Sequence, residues 1–151
     1  MAWKRQAARA VVLDPEGRIF LQESKDPADP SKGSWWELPG GGIDPGESSA
    51  EAVARELYEE CGFAEVEVGE VLWDQRVQFT FARIDFDQTE QIHLARLPRA
   101  EAWDPKQLEA IEALAFITAR WWTIDEVLGS DVTTAPADLR ERLAEVRHTL
   151  G

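Results

Sequence analysis

Apolar and polar residues alternate near the start of the chain, with Ala8, Ala10 and Val12 on one side of a two-residue period and Arg9, Val11 and Leu13 on the other. Period two marks a strand. Ile19-Phe20-Leu21 follows across Asp14-Pro15-Glu16-Gly17, so the spacing predicts two strands joined by a tight turn. Asp26 to Gly33 is turn chemistry, and Trp35-Trp36-Glu37-Leu38 before Pro39 reads as a short extended piece. At Ser48 the period changes. Ser48-Ser49-Ala50-Glu51 has the form of a capping box, Ala50, Val53, Ala54 and Leu57 recur at helical spacing, and Gly62 supplies the left-handed residue that ends a helix. Val77, Phe79 and Phe81 alternate with Gln78, Thr80 and Ala82, and Gln91 to Leu97 alternates in the same way, which predicts two more strands. Ala115 to Trp122 adds another. Thr123-Ile124-Asp125-Glu126 repeats the capping box ahead of a short helix ending at Gly129, and Leu139, Leu143, Val146 and Leu150 predict an amphipathic C-terminal helix with Pro136 near its first turn.

Helices and strands are mixed without strict alternation, which favours a mixed sheet covered by helices, an α/β fold. At 151 residues the chain is read as one domain, 1–151. The longest apolar run, Ala113 to Ile117, is far too short to span a bilayer, and Arg9 interrupts any signal-like core, so the expectation is a cytoplasmic protein with no membrane partner.

Charge narrows the chemistry. The net charge is −13, which argues against binding a nucleic-acid duplex. The surplus is concentrated: residues 40–74 hold ten acids against Arg55 alone. A charge run is commonly a solvated face, but acids that converge on one point call for cations. The single cysteine, Cys61, and two histidines, His93 and His148, make a thiolate or imidazole zinc site implausible, so any metal is expected to be oxygen-bound.

Glu56, Glu59 and Glu60 stand at i, i+3 and i+4 on the predicted helix and share one face. Like charges at that spacing destabilise a bare helix, whereas Mg²⁺ or Mn²⁺ turns the repulsion into coordination. Arg55 can hold a carboxylate with its planar fork, which makes it an orienting residue for Glu47 or one of the helix acids. Gly40-Gly41-Gly42 allows close backbone approach, either of a carbonyl to a metal or of amides to a phosphate.

As a spaced string, Gly41, Glu47, Arg55-Glu56-Leu57, Glu59-Glu60, Gly62 and Phe63 fill every specified position of the Nudix box. Composition alone would produce such a match at a given start on the order of 10⁻⁸ of the time, so chance does not account for it. Trp36-Glu37-Leu38-Pro39-Gly40-Gly41 resembles the family's lead-in, and Arg120 to Glu126 resembles a downstream strand-to-helix segment. The resemblance implies a Nudix-type α/β/α sandwich that hydrolyses a diphosphate bond linking a nucleoside to another group, with Mg²⁺ or Mn²⁺ as cofactor. It implies Glu56, Glu59, Glu60 and the Gly40 carbonyl as metal ligands, and one of these acids or a downstream glutamate as the base. For that further acid the candidates are Glu90 and Glu112, with Glu112 preferred.

The expected partner is a small nucleotide, with nucleoside triphosphates as the default substrate. Where the family's ADP-ribose and dinucleoside-polyphosphate branches tend to carry proline or tyrosine, this chain has Gln78 and Phe79. The alternatives are an ADP-ribose or nucleotide-sugar pyrophosphatase, a catalytically silent nucleotide-sensing or interaction domain, and an acidic ion buffer. Lys32, Arg76 and Arg83 are candidates for a terminal phosphate, and Trp35, Trp36, Phe79 and Phe81 are read as core rather than as a base platform. A homodimer is expected on base rates alone.

Overall fold

The computed structural model describes residues 1–151. Its central strand is β1 (Trp3–Leu13), whose alternation sends side chains to two separate cores. Ala8, Ala10 and Val12 pack with Ala52, Val53, Leu57 and Cys61, while Val11 and Leu13 pack with Ile92, Leu94, Val127, Leu139 and Leu143. The small alanines let the glutamate-bearing helix lie close to the sheet, and the larger residues fill the opposite face.

The other elements follow in order: β2 (Ile19–Lys25), β3 (Ser34–Glu37), β4 (Gly40–Gly42), α1 (Ser49–Glu56), β5 (Glu67–Phe81), β6 (Ile84–Arg96), α2 (Ala110–Ala115), β7 (Phe116–Trp122), α3 (Ile124–Gly129), β8 (Thr134–Ala135) and α4 (Leu139–Leu150). The sheet runs β5-β6-β1-β2-β3-β8, with β4 paired to β1 and β7 to β2. β1 is parallel to β6 and antiparallel to β2 and β4, so the sheet is mixed. With α1 on one face and α3 and α4 on the other, the layers are α/β/α. No helix is long and apolar enough to cross a membrane.

The sheet splits at one point. β1 and β2 share only the pair Leu13 with Ile19, and the middle of β1 pairs instead with β4, through Ala7–Gly42, Ala8–Gly41 and Arg9–Gly40. The triglycine stretch is therefore a strand wedged between two diverging ribbons, not a loop. Across the gap the ribbons meet again at their tips, where Trp35 stands edge-on to Phe81 at 6.5 Å, Ala82 donates its amide to Asp26 at 3.1 Å, and Lys32 donates to Asp26 at 2.9 Å and to the Thr80 carbonyl.

Several elements run longer than the sequence pattern predicts. β5 and β6 form a hairpin of 15 and 13 residues whose two-residue turn is Ala82-Arg83, both at positive φ. Such a turn normally carries Asn or Gly, so its composition hid it. α2 and β8 were not predicted at all. Of the four aromatics read as core, Trp36 packs into it, edge-on to Trp122 at 5.1 Å, whereas Phe79 is 38% exposed and stacks on Phe86.

α1 starts on the Ser48–Glu51 capping box and continues into a wider π turn, Leu57–Cys61, closed by Gly62 at φ +81°. A Cβ at Gly62 would also collide with the Asp104 carbonyl. Gly62→Ala should therefore lower stability by about 2–4 kcal/mol, from left-handed backbone strain plus the displaced 104 segment. Denaturant unfolding of the variant beside the parent checks this.

Candidate metal centre

The π turn and the segment after β6 build the site together. At the end of α1 the last carbonyls lack helical partners, and the 103–107 segment supplies them. Lys106 and Gln107 both donate their amides to Glu59 O, at 2.9 and 3.0 Å, Asp104 donates to Cys61 O at 2.9 Å, and the Trp103 indole donates to Glu60 O at 2.8 Å. This strap leads directly into α2, whose first turn carries Glu112, bonded through a capping box to the Glu109 amide at 2.9 Å.

The result is a cluster of three carboxylates. Glu56, Glu60 and Glu112 each place an oxygen within 4.8 Å of the others. Glu60 is only 2% exposed and takes the Gly40 amide at 3.2 Å. Burial, with Glu56 and Glu112 beside it and a shared hydrogen bond to Glu112, pushes its carboxyl well above the usual glutamate range. Burial also raises Glu56, with Arg55 opposing and Glu112 and Glu59 adding to the shift. At this spacing each ionised pair repels by about 3.5 kcal/mol or more in a medium of effective dielectric about 20, so the cluster needs either protons or a cation. Three carboxylate oxygens converging on one point fit a hard divalent ion such as Mg²⁺ or Mn²⁺.

Arg55 holds this acidic wall in shape with all five of its N–H groups. Nε and Nη2 grip Glu47 at 2.8 and 2.9 Å, Nη2 also reaches Gly42 O at 2.9 Å, and Nη1 meets Glu56 at 3.0 Å and Glu59 at 3.2 Å. Glu47 is correspondingly held below the ordinary range by the Arg55 hydrogen bonds. Glu59 shares the helix face and, like Glu56, is engaged by Arg55, but it is not one of the three acids that meet. Gly41 belongs to the cradle, because a Cβ there would lie 2.8 Å from the Glu56 carboxyl group. Gly40 presents its amide to Glu60, and its φ of +144° with β1 pressed against it leaves no room for a side chain.

Glu90, the alternative downstream acid, lies elsewhere. It is bound to Arg9 at 2.9 Å, to Gln75 at 2.7 Å and to Gln88 at 2.5 Å. Burial would raise its pKa, but Arg9 and the two amides outweigh that and hold it ionised. Its charge is already neutralised, which takes it out of the metal cluster. His93 is likewise structural, bonded to Ser49 at 2.8 Å and to Gly69 O at 2.9 Å.

Fold and site together define an α/β/α protein that concentrates carboxylate oxygens at the end of one helix, a donor set that suits a divalent cation. The family described as NUDIX domain matches residues 3–147, and the chain belongs to it. A putative 8-oxo-dGTP diphosphatase from Bacillus subtilis is 43% identical over 58 residues, which cover 38% of this chain and 35% of that protein. A CTP pyrophosphohydrolase from Escherichia coli is 39% identical over 61 residues, covering 40% and 43%. These matches thus span well under half the length of either curated relative. Among solved structures, a MutT protein from Methanosarcina mazei superposes with a TM-score of 0.64 at 22% identity, covering 97% of this chain and 96% of the other. A MutT NUDIX hydrolase from Burkholderia pseudomallei gives 0.59 at 26% identity, covering 95% and 98%.

The Glu60 shift has a sign that can be measured. Above the ordinary glutamate value of 4.5 the unfolded chain has released protons that folded Glu60 still holds, so stability of the metal-free protein falls as pH rises through the elevated pKa. A cation bound to the ionised carboxylates should reverse that slope. Thermal melts in chelator and in Mg²⁺, at mildly acidic and mildly alkaline pH, should show stabilisation by Mg²⁺ that grows with pH.

Proposed function

We propose that the chain is a divalent-metal-dependent hydrolase of a diphosphate bond in a nucleoside diphosphate derivative, with nucleoside triphosphates as its leading substrates. The observation that carries the reading is the meeting of Glu56, Glu60 and Glu112 within 4.8 Å, with Glu60 buried. Such a wall repels a polyanion unless a cation lies between them. When bound, Mg²⁺ or Mn²⁺ screens that repulsion and polarises the phosphoryl group for attack. The names of the curated relatives, a putative diphosphatase and a pyrophosphohydrolase, support the same reaction class.

In this reading Glu56 and Glu60 would hold the cation directly, Glu59 and the Gly40 carbonyl, the further ligands that the family resemblance implies, would complete its shell, and Arg55 fixes the acids through its five donors. Glu112, arriving from a different element, takes the proton of the attacking water. Water adds to phosphorus in line, the P–O–P bond breaks, and a nucleoside monophosphate and the remaining phosphate fragment, pyrophosphate in the case of a triphosphate, are the products, with no covalent enzyme intermediate.

Product release should be followed over nucleoside triphosphates, ADP-ribose and nucleotide sugars, with Mg²⁺, Mn²⁺ or chelator. Turnover that requires metal is expected, strongest on triphosphates. Metal binding with no turnover across the panel would favour a silent nucleotide-sensing domain. The variants divide the roles further. Glu60→Gln should weaken Mn²⁺ binding and lower kcat by about two orders of magnitude or more while the chain stays folded. Glu112→Gln should lower kcat by about 10²–10⁴-fold with a smaller loss of Mn²⁺ affinity. Calorimetric Mn²⁺ titration beside steady-state kinetics separates the two.

A further inference from the structure

The candidate cations for the substrate's phosphates differ in how far their charge is already used. All five N–H groups of Arg55 are taken. Arg9 is paired with Glu90 and bonded to Leu38 O at 2.8 Å. Lys32 is paired with Asp26, and Arg76 holds Asp87 through two bonds of 2.8 and 2.7 Å. Arg83 is at the far hairpin turn.

Arg5 is different. It is half-buried on β1, yet its guanidinium makes no hydrogen bond and no ion pair; burial and the nearby Arg9 weigh against its charge, and Glu56, Glu109 and Glu90 favour it only from a distance. What positions it takes up none of its donors: the guanidinium carbon sits 5.8 Å from the centroid of the Phe86 ring, which is itself packed by Trp3 and Phe79 at 5.4 and 5.1 Å. A guanidinium laid over an aromatic face is oriented without spending its N–H groups. On its other side is Gly42, where a Cβ would come within 3.0 Å of Nε and Nη2. The Gly42 carbonyl is the one Arg55 holds, so the triglycine strand lies between the spent arginine and the free one.

We propose that Arg5 is the side chain that binds a phosphate of the substrate outside the cation's shell, through the planar fork that Gly42 and Phe86 hold open. The inference rests on the function proposed above. It assigns a substrate-positioning role to a residue outside the glutamate helix, and it explains why a guanidinium beside the triglycine strand, in the field of Glu56, Glu109 and Glu90, is left without a carboxylate of its own. The expected ligand chemistry is an unesterified or diester phosphate oxygen pair, which the fork engages side by side.

The test uses the full chain and its Arg5→Gln and Arg5→Lys variants, with nucleoside triphosphates as substrates and a non-hydrolysable imidotriphosphate nucleotide as binding probe. In Arg5→Gln, KM and the probe's dissociation constant should rise by about ten- to hundred-fold, the size of one charge-assisted contact, with kcat changed much less. Arg5→Lys should recover part of the loss, since it restores charge but not the fork. Mn²⁺ affinity and the melting temperature should match the parent, which separates the role from a structural one. KM and probe affinity within twofold of the parent in Arg5→Gln would overturn the proposal, as would an equal loss of Mn²⁺ affinity. If the parent turns over nothing but binds the probe, the proposed hydrolysis fails while the titration still decides Arg5; a parent that neither hydrolyses nor binds overturns both.

Discussion

Glu60 is a carboxylate removed from water and set beside two others, and most of the architecture around it answers the cost of that placement. The helix that carries it lies on alanines of the central strand, which brings its C-terminal turn against the triglycine strand. There the Gly40 amide is the one neutral donor aimed at it, and Arg55 restrains the surrounding acids without neutralising Glu60 itself. The remaining deficit in charge is what a divalent cation would supply. The same deficit links ionisation, folding stability and metal affinity in one site.

The split of the sheet gives this cluster its place. Were β1 and β2 paired along their whole length, no gap would exist for a third strand and the Gly40 amide could not reach the helix. Instead they part after Leu13 and Ile19, and β4 enters with residues that have no side chains to obstruct Glu56 on one face or Arg5 on the other. The strap over the helix end completes the geometry from the other direction, using unpaired carbonyls at a helix terminus to anchor a segment that has little regular structure of its own.

Legibility followed locality. Ser48 and Glu51 announced the helix start, Gly62 its end, and the acids at 56, 59 and 60 a shared face, because capping and helical spacing act within a few residues. The strands at 8–13 and 19–21 were readable from alternation. The outer part of β1 was not: Trp3-Lys4-Arg5-Gln6 carries no apolar alternation, since that part of the strand is held by its pairing with β6 rather than by a core. Arg5 accordingly lay outside every predicted element. The β5–β6 turn was hidden by Ala82-Arg83, and α2 by its shortness, six residues held by a capping box and by the segment before it.

The distinction between Glu90 and Glu112 shows where local reasoning stops. Both are downstream acids with nothing in their neighbouring residues to separate them, and either could be solvated. Parallel pairing of β1 with β6 sets Glu90 near Arg9, which consumes its charge, while the strap on the helix end delivers Glu112 to Glu56 and Glu60. By itself the sequence determined the family, the helix with its stripe of carboxylates, and the need for a cation, all of which depend on residues close along the chain. Only the tertiary structure decided which distant charges meet and which are left free, because a carboxylate or guanidinium takes its role from the partner that folding places within hydrogen-bonding reach.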